Sequence, residues 1–148
     1  MATIAKNYIS AVGRRREAVA RVRLYTVAST KVTVNGEEAK KGDIIVNGKQ
    51  VSDYFAFFAY ASIYNKILID TNTAGKYIFS VKVAGGGLSG QADALVLGIA
   101  RALDKLDKEK FHKILRANNY LTRDPRTRER RKVGNAGKAR RKKSSPKR

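Results

Sequence analysis

The stretch VKVAGGGLSGQADALVLGIARAL, from Val81 to Leu103, predicts a strand, a glycine-rich turn and a helix in direct succession. Tyr77, Phe79 and the valines at 81 and 83 share one face of the predicted strand, a half-buried pattern. After the glycines, apolar residues recur at helical spacing: Leu88, Ala92, Leu95, Val96, Ile99, Leu103 and Leu106. A strand that leads directly into a helix is typical of domains that mix both element types.

The turn itself, Gly85–Gly90, is a literal G-x-G-x-x-G, the pattern that binds dinucleotides when it opens a βαβ unit. That use needs an acidic residue after a following strand, but Asp104, Asp107 and Glu109 fall inside or between predicted helices. Asp93 is expected in the first helical turn, where it would compete with an anion for the positive helix end. Two interpretations stay open here: close packing of the turn, or contact with a phosphodiester through free N–H groups.

Working outward, the flanking segments complete a small α+β domain. EAVARVRLY, beginning at Glu17, alternates as a half-buried strand, and KVTVNG and DIIVNG are short β-rich runs closed by Asn-Gly turns. Ser52 or Asp53 is the expected cap of a mostly buried helix in YFAFFAYASIYNKILI, and a short charged helix covers about Lys108 to Ala117. The predicted order is β, β, β, α, β, α, α, which gives four strands.

The charge of the chain says more about its binding partners than about its fold. The 148 residues include 32 Lys or Arg and 12 Asp or Glu, a net charge of +20, which favours polyanions. There is no cysteine, so disulfides, thiolate metal sites and cysteine nucleophiles are excluded. No run is apolar for long enough to cross a bilayer, and the first ten residues lack a signal-peptide core. We therefore expect a cytoplasmic protein without a membrane partner.

The basic residues are concentrated at the C-terminus. Residues 121–148 hold 13 Lys or Arg and 2 acidic residues, a net charge of +11, and no aromatic side chain. Such a segment buries too little apolar surface to offset its ordering entropy. We predict a globular domain over residues 1–120 and an extended basic tail over residues 121–148, flexible in the free protein.

Other chemistry is sparse. His112 is the single histidine and is expected to be a surface or packing residue, and Ser89 is expected to be an N-cap without a base beside it. Six aromatic residues could stack on bases but favour core packing: Tyr54, Phe55, Phe57, Phe58, Tyr60 and Tyr64. We predict no catalytic residue, no metal site, no cofactor and no small-molecule substrate.

The basic side chains and the glycine turn are the predicted RNA contacts, because guanidinium forks suit phosphate and a basic tail can order between RNA strands. They are Arg14, Arg15, Arg16, Arg21, Arg23, Gly85, Gly86, Gly87, Ser89, Gly90, Gln91, Arg123, Arg126, Arg128, Arg130, Arg131, Lys132, Lys138, Arg140 and Arg141.

Seven blocks in order resemble the family of ribosomal protein nine of the small subunit, in its bacterial form: GRRREAVARVRL, VNGKQVSDYF, GGGLSGQADA, GIARAL, LTRDPRTRERRKVG, KAR and the terminal KR. The resemblance implies a structural protein of the subunit head that binds ribosomal RNA beside other head proteins. It also implies one compact α+β domain, with a mixed four-stranded sheet, helices packed on it and a left-handed βαβ crossover, like the second domain of small-subunit protein five. Finally, it implies that the tail, ending at Lys147 and Arg148, reaches transfer RNA in the peptidyl site.

The sequence departs from the family pattern at three places. Roughly Ala28 to Gly42 forms an enlarged hairpin region, Asp93 stands where glycine is common, and Pro146 precedes the terminal basic pair. The leading interpretation is a structural RNA-binding protein. The alternatives are a free-standing RNA chaperone or assembly factor and, third, a nucleotide-dependent catalyst.

Overall fold

The computed structural model describes residues 3–4, 8–26, 31–34 and 37–141. In chain order its elements are β1 (Thr3–Ile4), β2 (Ile9–Arg15), β3 (Ala18–Tyr25), β4 (Lys31–Val34), β5 (Glu37–Lys40), β6 (Ile44–Val46), β7 (Lys49–Gln50), α1 (Val51–Tyr54), α2 (Phe58–Asp70), β8 (Ile78–Ala84), α3 (Leu88–Leu106) and α4 (Lys108–Ala117). The predicted α+β class is confirmed.

The main sheet is mixed and has five strands in the order β2-β3-β8-β6-β7. Only β6 and β8 run parallel, and the chain between them passes through α1 and α2, which gives the expected βαβ unit. The handedness of that crossover stays a prediction. The expected count of four strands is wrong, because β2 and β7 were missed and β4 belongs to a separate sheet.

Strand β2 was missed because the side chains on its buried face are small. Ala11 and Gly13 point into the core, and neither produces a visible apolar alternation. Arg14 and Arg15 therefore lie at the end of β2, directly before the turn into β3. Arg16 occupies the turn to β3 with a φ of 51°.

Strand β7 was missed because it is only two residues long. Asn47 and Gly48, with φ of 49° and 84°, form a tight hairpin turn of the type that requires positive φ at both central positions. The chain then returns along β6 for Lys49 and Gln50 alone. The Asn-Gly signal was correct as a turn, but the return strand was too short for a sequence pattern to reveal.

Helix α3 covers the sheet and contributes most of the helical core. Leu95, Ile99 and Leu103 are fully buried against the sheet face that carries Ala18, Ala20, Val22 and Leu24, as the alternation in β3 predicted. Two glycines let the helix approach closely: a Cβ at Gly13 would lie 2.5 Å from the Gly98 nitrogen, and one at Gly98 would lie 2.5 Å from Val22 Cγ2. This contact fixes β2 against the middle of α3.

A second sheet accounts for the enlarged hairpin region. β4 and β5 pair antiparallel, and β1 adds to β4 in parallel. Ala39 from β5 packs with Tyr25, Ile45 and Ile78, which fastens this hairpin to the main sheet through a small apolar cluster. Among the described residues, no helix is both long and apolar enough to span a membrane.

Candidate nucleic-acid interface

The first two glycines of the turn are explained by packing. Gly85 and Gly86 have φ of +75° and +62°, a backbone conformation that side chains disfavour. A Cβ at Gly85 would collide with the Glu17 carbonyl oxygen, and one at Gly86 would lie 3.1 Å from both the nitrogen and the Cβ of Ala18. The turn therefore packs against the start of β3, and neither glycine needs a ligand to account for it.

Gly87 and Gly90 differ, because they leave room for a ligand. Gly87 is extended, with φ of −107°, and a Cβ there would meet nothing within 4 Å. At Gly90 the closest atom to an added Cβ is the Arg15 carbonyl oxygen, at an ordinary 3.5 Å. A phosphate could approach the turn on this side, where the first N–H groups of α3 lie.

The start of α3 corrects two expectations. Gly87 is the N-cap and makes no side-chain capping bond, so Ser89 lies inside the helix and is not the cap. Asp93 lies beyond the first turn, which contains no acidic residue, and so it does not occupy the positive helix end. Likewise, α1 begins after Gln50, so neither Ser52 nor Asp53 caps a helix.

Gln91 fixes the turn instead of leaving its amide free. Its Nε2 donates to the Gly85 carbonyl at 3.0 Å, and its Oε1 accepts from the Tyr54 hydroxyl at 3.0 Å. Asn47 forms a second brace, since its Oδ1 accepts from Val83 N at 2.9 Å and its Nδ2 donates to Val83 O at 3.0 Å. Sequence reasoning missed both Asn47 and Tyr54 as supports of the turn, because these contacts span 36 and 37 residues.

We predict that alanine substitutions separate the two roles of the turn. Gly86→Ala should lower the free energy of unfolding by about 2 kcal/mol, because it combines positive φ with a tight contact. Gly87→Ala should cost less, about 1 kcal/mol at most, because alanine is a poorer N-cap than glycine but its methyl group meets no neighbouring atom within 4 Å. Urea unfolding measures both, and equal losses would contradict the division into a packed side and an open side.

The open face of the main sheet carries a basic cluster. Arg21 and Lys82 are directly opposite one another in the β3–β8 pairing, and Arg23 follows two residues along β3. With Tyr8, Ser10 and Ser80, these side chains line a cavity of about 290 Å³, and no Asp or Glu is among its lining residues in the described part of the chain. The Arg23 guanidinium lies 4.8 Å from the centroid of the Tyr8 ring. We name Arg21, Arg23 and Lys82 the sheet-face cluster.

Lys82 is the member of this cluster that sequence reasoning missed. The alternation around Val81 and Val83 already placed it on the face opposite the core, so the signal was present. Like charges directly opposite one another in a sheet are unfavourable without a counter-charge. The sheet-face cluster is therefore an anion-attracting surface.

Arg15 is engaged by protein groups. Its guanidinium lies 3.0 Å from Asp124 Oδ2 and 3.5 Å from Asp93 Oδ2, and it donates to the Arg126 carbonyl at 3.1 Å. Arg14 and Arg16 beside it are exposed. Arg15 thus differs from its two neighbours in lying beside two carboxylates, those of Asp93 and Asp124.

The described part of the tail, residues 121–141, contains no helix or strand. Its two acidic side chains are each paired with an arginine: Asp124 with Arg126 and Glu129 with Arg140. Hydrogen bonds from the Arg126 side chain and backbone lower the pKa of Asp124 well below its usual range, and the charge of Arg15 adds to this effect. The other predicted tail contacts are exposed: Arg123, Arg128, Arg130, Arg131, Lys132, Lys138 and Arg141. Lys147 and Arg148 lie outside the described residues.

The remaining candidates divide between core and surface. Phe55 and Tyr64 are buried, as expected, whereas Phe57 and Phe58 are 59% and 80% exposed. His112 is half-buried and its Nδ1 lies 2.7 Å from Asp104 Oδ1, consistent with a packing residue. Within the described ranges, no group of three His, Asp or Glu side chains is arranged to hold a metal ion.

Residues 13–148 match the family described as Ribosomal protein S9/S16. The chain belongs to this family. It is 43% identical over 123 residues to the small ribosomal subunit protein uS9 of Borrelia hermsii, covering 82% of this chain and 79% of that protein. It is 39% identical over 127 residues to the protein of the same name from Dehalococcoides mccartyi, covering 86% of each.

Membership in the S9/S16 family confirms the resemblance noted in the sequence. The chain is a structural, non-enzymatic constituent of the small subunit of the cytoplasmic ribosome, and ribosomal RNA binding is general for the family. The hypothesis of a nucleotide-dependent catalyst at Gly85–Gly90 is therefore wrong.

Proposed function

We propose that this ribosomal protein contacts small-subunit RNA through three basic surfaces, and that its tail extends to transfer RNA in the peptidyl site. The surfaces are the sheet-face cluster, the open side of the glycine turn with its exposed neighbours, and the tail. The second comprises Arg14, Arg16, Gly87, Ser89 and Gly90. Four residues are left out of the proposed RNA contacts, because protein groups account for their contacts or backbone geometry: Arg15, Gln91, Gly85 and Gly86.

The observation that carries the proposal for the globular part is the facing pair of Arg21 and Lys82. Their mutual repulsion would be relieved by a phosphate between or above them, and no carboxylate is among the described residues that line the adjoining cavity. RNA phosphates supply that counter-charge at regular spacing. Tyr8, half-exposed at the rim, adds an aromatic surface beside the cations.

The tail is strongly basic, and most of its described cations are exposed. Residues 121–148 have a net charge of +11, and the two acidic residues are engaged by Arg126 and Arg140. The remaining cations have no acidic neighbour left within the tail. RNA packed around such a segment would neutralise it and order it. We keep the division proposed from the sequence, a globular part over residues 1–120 and a tail over 121–148.

The contact with transfer RNA rests on the family resemblance and on the chemistry of the last two residues. Arg148 offers a guanidinium fork to one phosphate, and Lys147 adds a point charge beside it. The pair supplies only two of the 32 Lys and Arg residues, so it contributes modestly. Pro146 limits the directions in which the pair can extend.

We predict that deletion of Lys147 and Arg148 weakens transfer RNA binding at the peptidyl site by about 1 kcal/mol, roughly fivefold. Assembly should be unaffected, because the pair represents only two of 32 cations. The measurement is transfer RNA affinity of purified subunits with and without the pair, alongside subunit yield. Normal affinity together with defective assembly would place the end of the tail on ribosomal RNA instead.

A further inference from the structure

The side chain of Arg15 joins three separate parts of the chain. It extends from the end of β2 and is only 14% exposed. Its Nη2 lies 3.0 Å from Asp124 Oδ2 in the tail, and its Nε lies 3.5 Å from Asp93 Oδ2 on α3. Its Nη1 donates to the backbone carbonyl of Arg126, a contact across 111 residues of sequence.

We propose that Arg15 is a positioning residue. It docks residues 124–126 against the end of β2 and the side of α3, and so sets the direction in which the basic tail leaves the globular part. The consequence of this docking for RNA binding rests on the role proposed above for the tail. The docking of residues 124–126 does not rest on that role, because it occurs in the free protein.

The chemistry suits an arginine at this position. A planar guanidinium presents five N–H donors in a fixed fork, so it can reach a carboxylate and a carbonyl of the same turn at once. A lysine ammonium keeps the charge but lacks that fork. Most surface ion pairs are weak because solvent screens them. The low exposure of the Arg15 side chain reduces that screening.

The tail presents a preformed partner. Asp124 Oδ1 accepts from the Arg126 backbone N–H at 2.9 Å, which closes a tight turn around Pro125. The Arg126 guanidinium returns to the same carboxylate, with Nε 3.0 Å from each oxygen. Proline fixes φ in the middle of this turn, so little further ordering is needed when it meets Arg15.

Upstream contacts hold the preceding residues in place. The Tyr120 hydroxyl donates to Asp70 Oδ2 at 2.6 Å, and Leu121 packs against the core. Burial and the bond to Asp70 together raise the pKa of Tyr120 to about 12. The chain is thus held at Tyr120 and again at Asp124–Arg126, and two successive contacts define a direction. The flexibility expected of the tail in the free protein then begins only after Arg126.

Asp124 separates docking from bulk charge. Asp124→Asn makes the protein more positive, so charge alone predicts tighter binding to RNA. Docking predicts a different effect, on the tail's direction: without the Asp124 carboxylate, the tail should leave the domain over a wider range of directions. Arg15→Gln removes one positive charge, and Arg14→Gln is its matched control because Arg14 is an exposed neighbour on the same strand.

The test is a spin-label distance measurement on the free, full-length protein. The chain has no cysteine, so labels at Thr127→Cys and Lys113→Cys, both exposed sites, are specific. We expect a narrow distance distribution in the parent and in Arg14→Gln. We expect it to broaden at least about twofold in Asp124→Asn, Arg15→Gln and Arg15→Lys.

A distribution that is already broad in the parent, or one that stays narrow in Asp124→Asn and Arg15→Gln, would overturn the proposal. Thermal unfolding of each variant monitors the fold, and Asp124→Asn keeps the test valid because Asp124 lies outside the apolar core. No RNA is present in this measurement. The docking proposal can therefore be contradicted while the tail still binds transfer RNA, and it can be supported while the tail does not bind transfer RNA.

Discussion

Removal of residues 127–148 is expected to lower the affinity for small-subunit ribosomal RNA by at least about 100-fold near physiological salt. These residues carry eleven Lys or Arg and one Glu, and the cut leaves the docked turn at Asp124–Arg126 in place. Each phosphate contact releases condensed counterions and adds about 0.7 to 0.9 to the slope of log affinity against log salt. The slope should therefore fall by several units.

Filter binding between about 50 and 200 mM salt measures this slope. A matched control is the full-length protein with Lys108→Gln and Lys110→Gln, which loses two cations that flank Glu109 on α4. Its slope should stay close to that of the parent. If truncation leaves the slope unchanged, the tail does not carry the electrostatic contact.

Gly13→Ala is expected to reduce the free energy of unfolding by about 3 kcal/mol or more. The added methyl group would collide with the Ala94 carbonyl oxygen and lie 2.5 Å from the Gly98 nitrogen. Both are backbone atoms of α3, which cannot rotate out of the way as a side chain could. Either the helix moves off β2 or the strand shifts in the sheet, and both movements expose core surface.

Urea unfolding measures the loss, with Gly87→Ala as the control because a Cβ at Gly87 meets nothing within 4 Å. The methyl group is the same in both variants, and the helix N-cap preference at Gly87 adds only about 1 kcal/mol, so a much larger loss at Gly13 reports the lack of space there. A Gly13→Ala protein as stable as the Gly87→Ala protein would mean that α3 does not lie directly on β2.

The sequence was sufficient where side chains are large and periodic. The faces of β3 and α3 followed from alternation and helical spacing, and Asn47-Gly48 was identified as a turn. It was insufficient where small residues form the interface. The buried face of β2 consists of Ala11 and Gly13. Their small size lets α3 approach the strand closely, and a hydropathy pattern does not reveal such a contact.

The candidate interface was predictable in composition but not in pairing. The basic tail and the arginines around residue 15 were evident from charge alone. The sequence could not show that Arg15 faces Asp93 and Asp124, because residues 15 and 124 are brought together only by the fold. Lys82 was overlooked although its alternation was visible, since its significance depends on lying opposite Arg21.

The central claim is that the tail runs from the docked turn through ribosomal RNA to transfer RNA in the peptidyl site. The most direct test is a map of small subunits that contain this protein and a peptidyl-site transfer RNA. The account predicts continuous density from Arg126 onward, with Lys147 and Arg148 within hydrogen-bonding distance of the transfer RNA backbone. Density that ends on ribosomal RNA alone, away from transfer RNA, would contradict it.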